Sequence, residues 1–170
     1  MQRPIRAAVL TVSDRSSRGE RADESGPALA GEIEKNAWQL VEKKIVPDER
    51  LEIEKTLIEW CGLGAIDLIL TTGGTGFSPR DVTPEATIAV AERLAPGLSE
   101  AMRLDSLRIT PHAMLSRGAA VIRGQTLIVN LPGSPKAAVE NLRTILPVLP
   151  HAVALLRADP AAEAGHQPAQ

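Results

Sequence analysis

Three stretches of this chain carry small, hydrogen-bonding residues at spacings suited to an anion. The densest is Thr71-Thr72-Gly73-Gly74-Thr75-Gly76-Phe77-Ser78-Pro79-Arg80-Asp81. Gly73, Gly74 and Gly76 lack a Cβ, so their backbone N–H groups can lie directly against an anion. Thr72 and Thr75 add hydroxyl donors. Asp81 completes the set, because a magnesium-bridged phosphate needs a carboxylate close to its cradle: a hard cation takes oxygen ligands and keeps several waters. The plain alternative is a tight strand-to-helix turn capped by Thr83. Glycines alone would not decide between the two, but threonines, glycines and an aspartate within residues 72–81 favour binding. The Gly-Lys-Ser/Thr end of a phosphate-binding P-loop is missing, and the glycine spacing is not that of a dinucleotide fingerprint.

The second stretch is Asn130-Leu131-Pro132-Gly133-Ser134-Pro135, leading straight into a helix start. Gly133 and Ser134 would present donors at the positive end of that helix. Ser134 is also a natural N-cap with Pro135 in the first turn, and the two roles are compatible. The third is Thr11-Val12-Ser13-Asp14-Arg15-Ser16-Ser17. Here Ser13, Asp14 and Arg15 form either a rim of the same site or a solvated polar loop. Asp48, in Val46-Pro47-Asp48-Glu49, reads as a helix N-cap or as a second acidic group facing Asp81. Phe77 reads as a packing residue. Cys61 falls on a helix face as a small apolar residue. His112, His151 and His166 have no metal-ligand spacing.

All three stretches follow apolar runs that predict strands. Residues 5–12 and 66–70 read as strands buried on both faces, and 39–46 as a more polar strand near an edge. Residues 119–130 read as a hairpin about Gly124-Gln125. Helices are predicted from Ser25 (as cap) to about Asn36, over 49–61 with Leu51, Ile53, Leu57, Ile58 and Trp60 in helical spacing, from Thr83, over 98–107, from Ser134 to about Leu146, and over 148–157. Alternating strands and helices predict a mostly parallel sheet with helices on both faces. Ligands in such sheets bind beyond the carboxyl ends of the strands, where all three stretches fall. The domain is predicted to span residues 1–158, followed by an Ala-, Pro- and Gln-rich mobile tail, 159–170.

Composition narrows the function classes. With 170 residues, 44% hydrophobic and 24% charged, the chain is long enough to bury a core without staples. Aromatics at 2% leave few surfaces on which bases could stack, and a net charge of −2 without a basic run gives no footprint for a nucleic-acid backbone. The single cysteine cannot form an internal disulfide. The N-terminus lacks the apolar segment of a signal peptide, and no apolar run reaches the length of a membrane span. A cytoplasmic location without membrane or nucleic-acid partners is expected.

The segment 71–87, TTGGTGFSPRDVTPEAT, resembles the signature of the MogA/MoaB family of molybdopterin-binding proteins, whose domain also occurs in gephyrin and in plant molybdenum-insertion proteins. TVSDRSSRGERADESGPAL (11–29) and NLPGSPKA (130–137) resemble family segments in the same order. The resemblance implies a three-layer α/β/α sandwich assembled as a homotrimer. It implies molybdopterin and ATP as substrates, Mg2+ as cofactor, transfer of AMP to the terminal phosphate of molybdopterin, and release of pyrophosphate. The product would be handed to a separate molybdate-insertion enzyme.

Carried onto this chain, the family's two catalytic aspartates match Asp48 and Asp81, which would also hold Mg2+. Thr72, Gly73, Gly74, Thr75 and Gly76 match the phosphate and nucleotide loop. Pro132, Gly133 and Ser134 match a ligand loop, and Ser13, Asp14 and Arg15 match a further contact. Two other readings stand beside this one. One is a non-catalytic carrier of molybdopterin; the presence of both aspartates favours the enzyme. The other is a domain of the competence-damage type, which usually accompanies a hydrolase domain for which this chain has no room.

Overall fold

The computed structural model describes residues 3–163. Its elements are β1 (Arg6–Val12), α1 (Asp14–Ser17), α2 (Ser25–Lys35), β2 (Gln39–Val46), α3 (Arg50–Gly62), β3 (Leu68–Thr72), α4 (Thr83–Ala89), β4 (Arg93–Leu94), α5 (Pro96–Ser106), a 3-10 turn (Pro111–Leu115), β5 (Ala120–Arg123), β6 (Thr126–Leu131), α6 (Pro135–Ile145), α7 (Leu149–Leu156) and α8 (Pro160–Glu163). The six strands form one sheet in the order β2-β1-β3-β6-β5-β4. β2, β1, β3 and β6 run parallel, and β5 and β4 add antiparallel pairings.

Alternation along the strands divides the core into two halves. Val9, Leu68, Leu70, Val129 and Leu131 pack against Leu29 and Ile33 of α2 and Leu142 and Ile145 of α6. Leu10, Ile69 and Ile128 point the other way, against Ile53, Leu57 and Trp60 of α3 and Ala86 of α4. Each fully buried Leu or Ile contributes about 1.5–3 kcal/mol by leaving water. The central strands are mostly apolar because both faces are covered, and polar residues gather toward their carboxyl ends at Thr11, Thr71, Thr72 and Asn130. β2 is polar because it is an edge, and its exposed Glu42, Lys43 and Lys44 discourage pairing with another sheet.

Several local details differ from the sequence reading. Leu51 and Ile58 share the helical spacing of α3 but are exposed; only Ile53, Leu57 and Trp60 of that set face the core. Phe77 does not pack: 68% of its surface is exposed. Ser25 lies inside α2, and the carboxylate of Asp23 takes the Gly26 N–H at 3.0 Å instead. The first residues of the expected tail form α8, where Asp159 accepts from the Ala161 N–H and Ala162 is buried. Residues 164–170 of that tail lie outside the described residues. No described helix is long and apolar enough to cross a membrane.

The register brings the strand ends level. Thr11 pairs with Thr72, Thr72 with Leu131, and Val12 with Val46. The loops after β1, β2, β3 and β6 therefore leave the sheet at one height. The chain order also reverses between β1 and β3, the position where such sheets open a crevice.

Candidate functional site

The glycine loop after β3 is shaped by close backbone approaches. Gly73 has φ +98°, and a Cβ there would lie 2.3 Å from the Val12 carbonyl oxygen. Gly74 has φ +67°, and a Cβ would lie 2.3 Å from Thr83 Oγ1 and 3.1 Å from Asp48 Oδ1. Both positions therefore need glycine for conformation and for space. Thr83 was expected to cap α4. Its hydroxyl instead donates to the Gly73 carbonyl at 2.9 Å, and its N–H donates to the Gly74 carbonyl. The cap position falls on Val82, so Thr83 is the first residue of the helix rather than its cap. A buried network anchors the base of the loop: Asn130 Nδ2 donates to Thr71 and Thr87, and Asn130 Oδ1 accepts from Ala119.

The loop after β6 sits against the glycine loop. Thr72 Oγ1 donates to the Pro132 carbonyl at 2.7 Å, and a Cβ on Gly133 would lie 3.2 Å from Gly73 Cα. Ser134 is the N-cap residue of α6, as expected, but its hydroxyl makes no capping hydrogen bond. It lines a cavity of about 350 Å³ together with Ser13, Asp23, Thr72, Gly73 and Gly133. A second, more apolar cavity of about 260 Å³ is lined by Thr75, Gly76, Pro132, Arg103, His112 and Asn141. Both loops thus contribute to both cavities.

The acidic residues gather at the same end of the sheet. Asp48 Oδ2 accepts the Asp14 N–H at 2.8 Å, and Asp14 Oδ1 accepts the Asp48 N–H at 3.0 Å. Arg80 forks onto Asp14 and also reaches Glu49. The Arg80 guanidinium holds the Asp14 carboxyl below its usual range. Burial pushes Asp48 above its usual range, and the charges of Asp14 and Asp81 act in the same direction. Asp81 Oδ2 accepts the Ser78 N–H at 2.9 Å and would lie 3.0 Å from a Cβ on Gly76. Asp48 therefore flanks Gly74 and Asp81 flanks Gly76. Neither lines either cavity.

Among the described residues no group of three or more His, Cys, Asp or Glu could enclose a metal ion. The donor set still fits Mg2+. Oδ1 of Asp48 and Oδ1 of Asp81 carry no hydrogen bond among the described residues. Magnesium is usually held by one or two carboxylates together with substrate phosphates and waters, and these two oxygens beside an N–H-rich loop match that pattern.

Ser13 caps α1, accepting from the Ser16 N–H at 3.1 Å. Arg15 is exposed and lines neither cavity, so it stands apart from the other expected contacts. The sequence reading also missed residues that complete the region. Arg117 bonds to the carbonyls of Gly76 and Asp81. Asp23, expected in the sequence as part of the polar loop that could rim the site, accepts from Thr11 Oγ1 in the wall of the first cavity. Arg103, His112 and Asn141 line the second. Arg117, Arg103, His112 and Asn141 lie outside the three stretches, and only folding brings them to the site.

A doubly wound sheet with a glycine loop and two aspartates at its switch point defines a class: open α/β domains, whose ligands bind beyond the strand ends. The profile of the family described as "Probable molybdopterin binding domain" matches residues 8–151. The chain is 45% identical over 154 residues to the molybdopterin adenylyltransferase of Helicobacter pylori strain J99, covering 89% of this chain and 88% of that protein. It is 48% identical over 162 residues to gephyrin of Dictyostelium discoideum, covering 89% of this chain but 22% of that longer protein. The crystal structure of the molybdopterin biosynthesis enzyme MoaB from Thermus thermophilus superposes with a TM-score of 0.86 at 51% identity, covering 92% of this chain and 98% of that one. The chain belongs to the molybdopterin-binding domain family of molybdenum cofactor biosynthesis.

Proposed function

We propose that this chain transfers AMP from Mg-ATP to the terminal phosphate of molybdopterin, giving adenylyl-molybdopterin and pyrophosphate. One observation carries the reading: the glycine loop and the Pro132-Gly133-Ser134 loop each line both cavities. Ligands held in the two cavities would meet across that pair of loops, which is what transfer between two bound molecules requires. The name of the Helicobacter pylori relative supports the same reaction.

In the reaction a phosphate oxygen of molybdopterin attacks the α-phosphorus of ATP. A new P–O bond forms, the bond to the β-phosphate oxygen breaks, and pyrophosphate leaves with the electron pair. A phosphate nucleophile is already ionised at neutral pH, so no strong base is required. Asp48 and Asp81 would act as ligands of Mg2+ and as orienters. Bound there, the ion would neutralise charge between two polyanions. Backbone N–H groups of residues 73–76 would meet charge growing on the equatorial oxygens, and most of the catalysis is positioning and electrostatics.

The same reading covers assembly and setting. A homotrimer is supported by an apolar groove in which Leu104, Leu107 and Met114 stand exposed on α5 and the 3-10 turn. A second copy of this chain is the proposed occupant. The reducing cytoplasm suits a chain with one thiol, and hand-over to a molybdate-insertion enzyme suits a product that is chemically activated.

The test is to incubate the protein with molybdopterin, ATP and Mg2+ and to follow pyrophosphate and adenylylated pterin. Product from the wild type and at least about a hundredfold less from Asp81→Ala is the expected result. Tight pterin binding without product would instead establish the carrier reading.

A further inference from the structure

The loop between Gly76 and Asp81 is fixed by a side chain that no motif marks. Arg117 lies between the 3-10 turn and β5. Its backbone N–H donates to the Thr75 carbonyl at 2.9 Å. Its Nε donates to the Gly76 carbonyl at 2.8 Å, and one terminal nitrogen donates to the Asp81 carbonyl at 2.7 Å. The same guanidinium forks onto the carboxylate of Glu85 in the first turn of α4. One planar group therefore ties both ends of the loop to the helix that follows it.

One other side chain ties the loop to its surroundings: Arg80, at its exposed rim, forks onto Asp14 and reaches Glu49. Phe77, Ser78, Pro79 and Arg80 are exposed. Inside the loop, Ser78 and Asp81 are joined by two hydrogen bonds: the Asp81 N–H donates to the Ser78 carbonyl and the Ser78 N–H to the Asp81 carboxylate. These close the turn on itself but do not locate it against Gly74 or Asp48. Arg80 holds the tip toward Asp14 and Glu49, and Arg117 holds the backbone at the two ends, residues 76 and 81.

We infer that Arg117, oriented by Glu85, is a positioning residue for Asp81: it locks the backbone on both sides of the loop so that the Asp81 carboxylate stays beside the glycine cradle. The inference rests on the adenylyl-transfer reading for its catalytic consequence, though not for its geometry. Arginine suits the task because its rigid fork meets two carbonyls and a carboxylate together. A lysine at this position supplies the charge but only a point donor on a flexible stem. The released carbonyls of the variant are near the surface and can be hydrated, so the loss is expected as loop motion rather than collapse of the fold.

Arg117→Ala, Arg117→Lys and Glu85→Gln are compared with the wild type. Arg143→Ala serves as control, since it removes an exposed guanidinium ion pair in the other helical layer. The first readout, amide hydrogen exchange over residues 76–82, needs no substrate. Arg117→Ala should speed exchange there by about tenfold or more while the β3 and β6 amides are unchanged, with Arg117→Lys and Glu85→Gln intermediate. The second readout is steady-state AMP transfer. Arg117→Ala should lower kcat roughly tenfold, shift KM for ATP by less than about threefold, and raise the half-saturating Mg2+ concentration, with partial recovery in Arg117→Lys. Wild-type exchange in the loop of Arg117→Ala overturns the inference, whatever the activity. So does equal loss of kcat in Arg117→Ala and Arg143→Ala with unchanged Mg2+ dependence. A wild type that makes no product, together with the expected exchange pattern, supports the clamp and refutes the adenylyl-transfer reading alone.

Discussion

Asp14 and Asp48 each accept the other's backbone N–H in their carboxylate, at 3.0 and 2.8 Å. The exchange locks the loop after β1 to the loop after β2. It also brings two negative charges close together, and Arg80 offsets them by forking onto Asp14. Asp14→Ala removes the acceptor for the Asp48 N–H and leaves Arg80 with Glu49 as its remaining carboxylate partner. We expect kcat/KM for AMP transfer to fall about tenfold or more, with Asp14→Asn milder because its amide oxygen can still accept. Steady-state kinetics of both variants checks the order.

Gly73 should be far less replaceable than Gly19. Both have positive φ, +98° and +72°, but only Gly73 faces a backbone oxygen, 2.3 Å from its would-be Cβ. Gly19→Ala should cost about 1–2 kcal/mol from the left-handed conformation alone. Gly73→Ala should cost about 3 kcal/mol or more, because the Val12 carbonyl belongs to β1 and cannot move cheaply. Denaturant unfolding of the two variants gives the comparison.

Glu32 links α2 to α6 through Arg143 and also meets Lys35. The Arg143 guanidinium first, and Lys35 second, lower its pKa to about 2 from an ordinary 4.5. A depressed folded-state pKa stabilises the fold at pH above the ordinary glutamate value. That stability is lost as pH falls through about 2. Both cations are more than half exposed, so solvent screening reduces the contribution to about 1–2 kcal/mol. Glu32→Gln should destabilise the protein at pH 7 by that amount and make no difference near pH 2. Thermal unfolding across pH measures both.

The exposed apolar groove of α5 should report on assembly. Leu104→Glu and Met114→Glu place charge where a second copy is proposed to bury leucine and methionine. Sedimentation should show the wild type as a trimer and the double variant shifted to monomer, still folded because both side chains are already in water.

Much of this arrangement was legible from spacing. Alternating apolar runs and helix starts disclosed the layered fold, and the cluster of Gly73, Gly74 and Gly76 marked a strand-end turn whose neighbours leave little room for a Cβ. Tertiary partners were not legible. Thr83 and Ser25 look like caps in isolation, yet each helix starts one residue earlier, at a Val82 or Glu24 cap, and their hydroxyls donate to the Gly73 carbonyl and the Asp23 carboxylate. β4 pairs over two residues, too few to leave a periodic trace. Arg117 sits 36 positions from Asp81, and nothing in the chain between them announces that they touch.

The level strand ends carry a consequence for how recognition can be divided. Asp14, Asp48, Gly73 and Gly133 come from four separate stretches spread over most of the described chain, and the register of β1, β2, β3 and β6 brings those stretches to one edge. A dinucleotide fingerprint concentrates its grip in one strand-turn-helix unit; this domain has no such portable fragment. A ligand bound across these strand ends would therefore read out the integrity of the whole sheet.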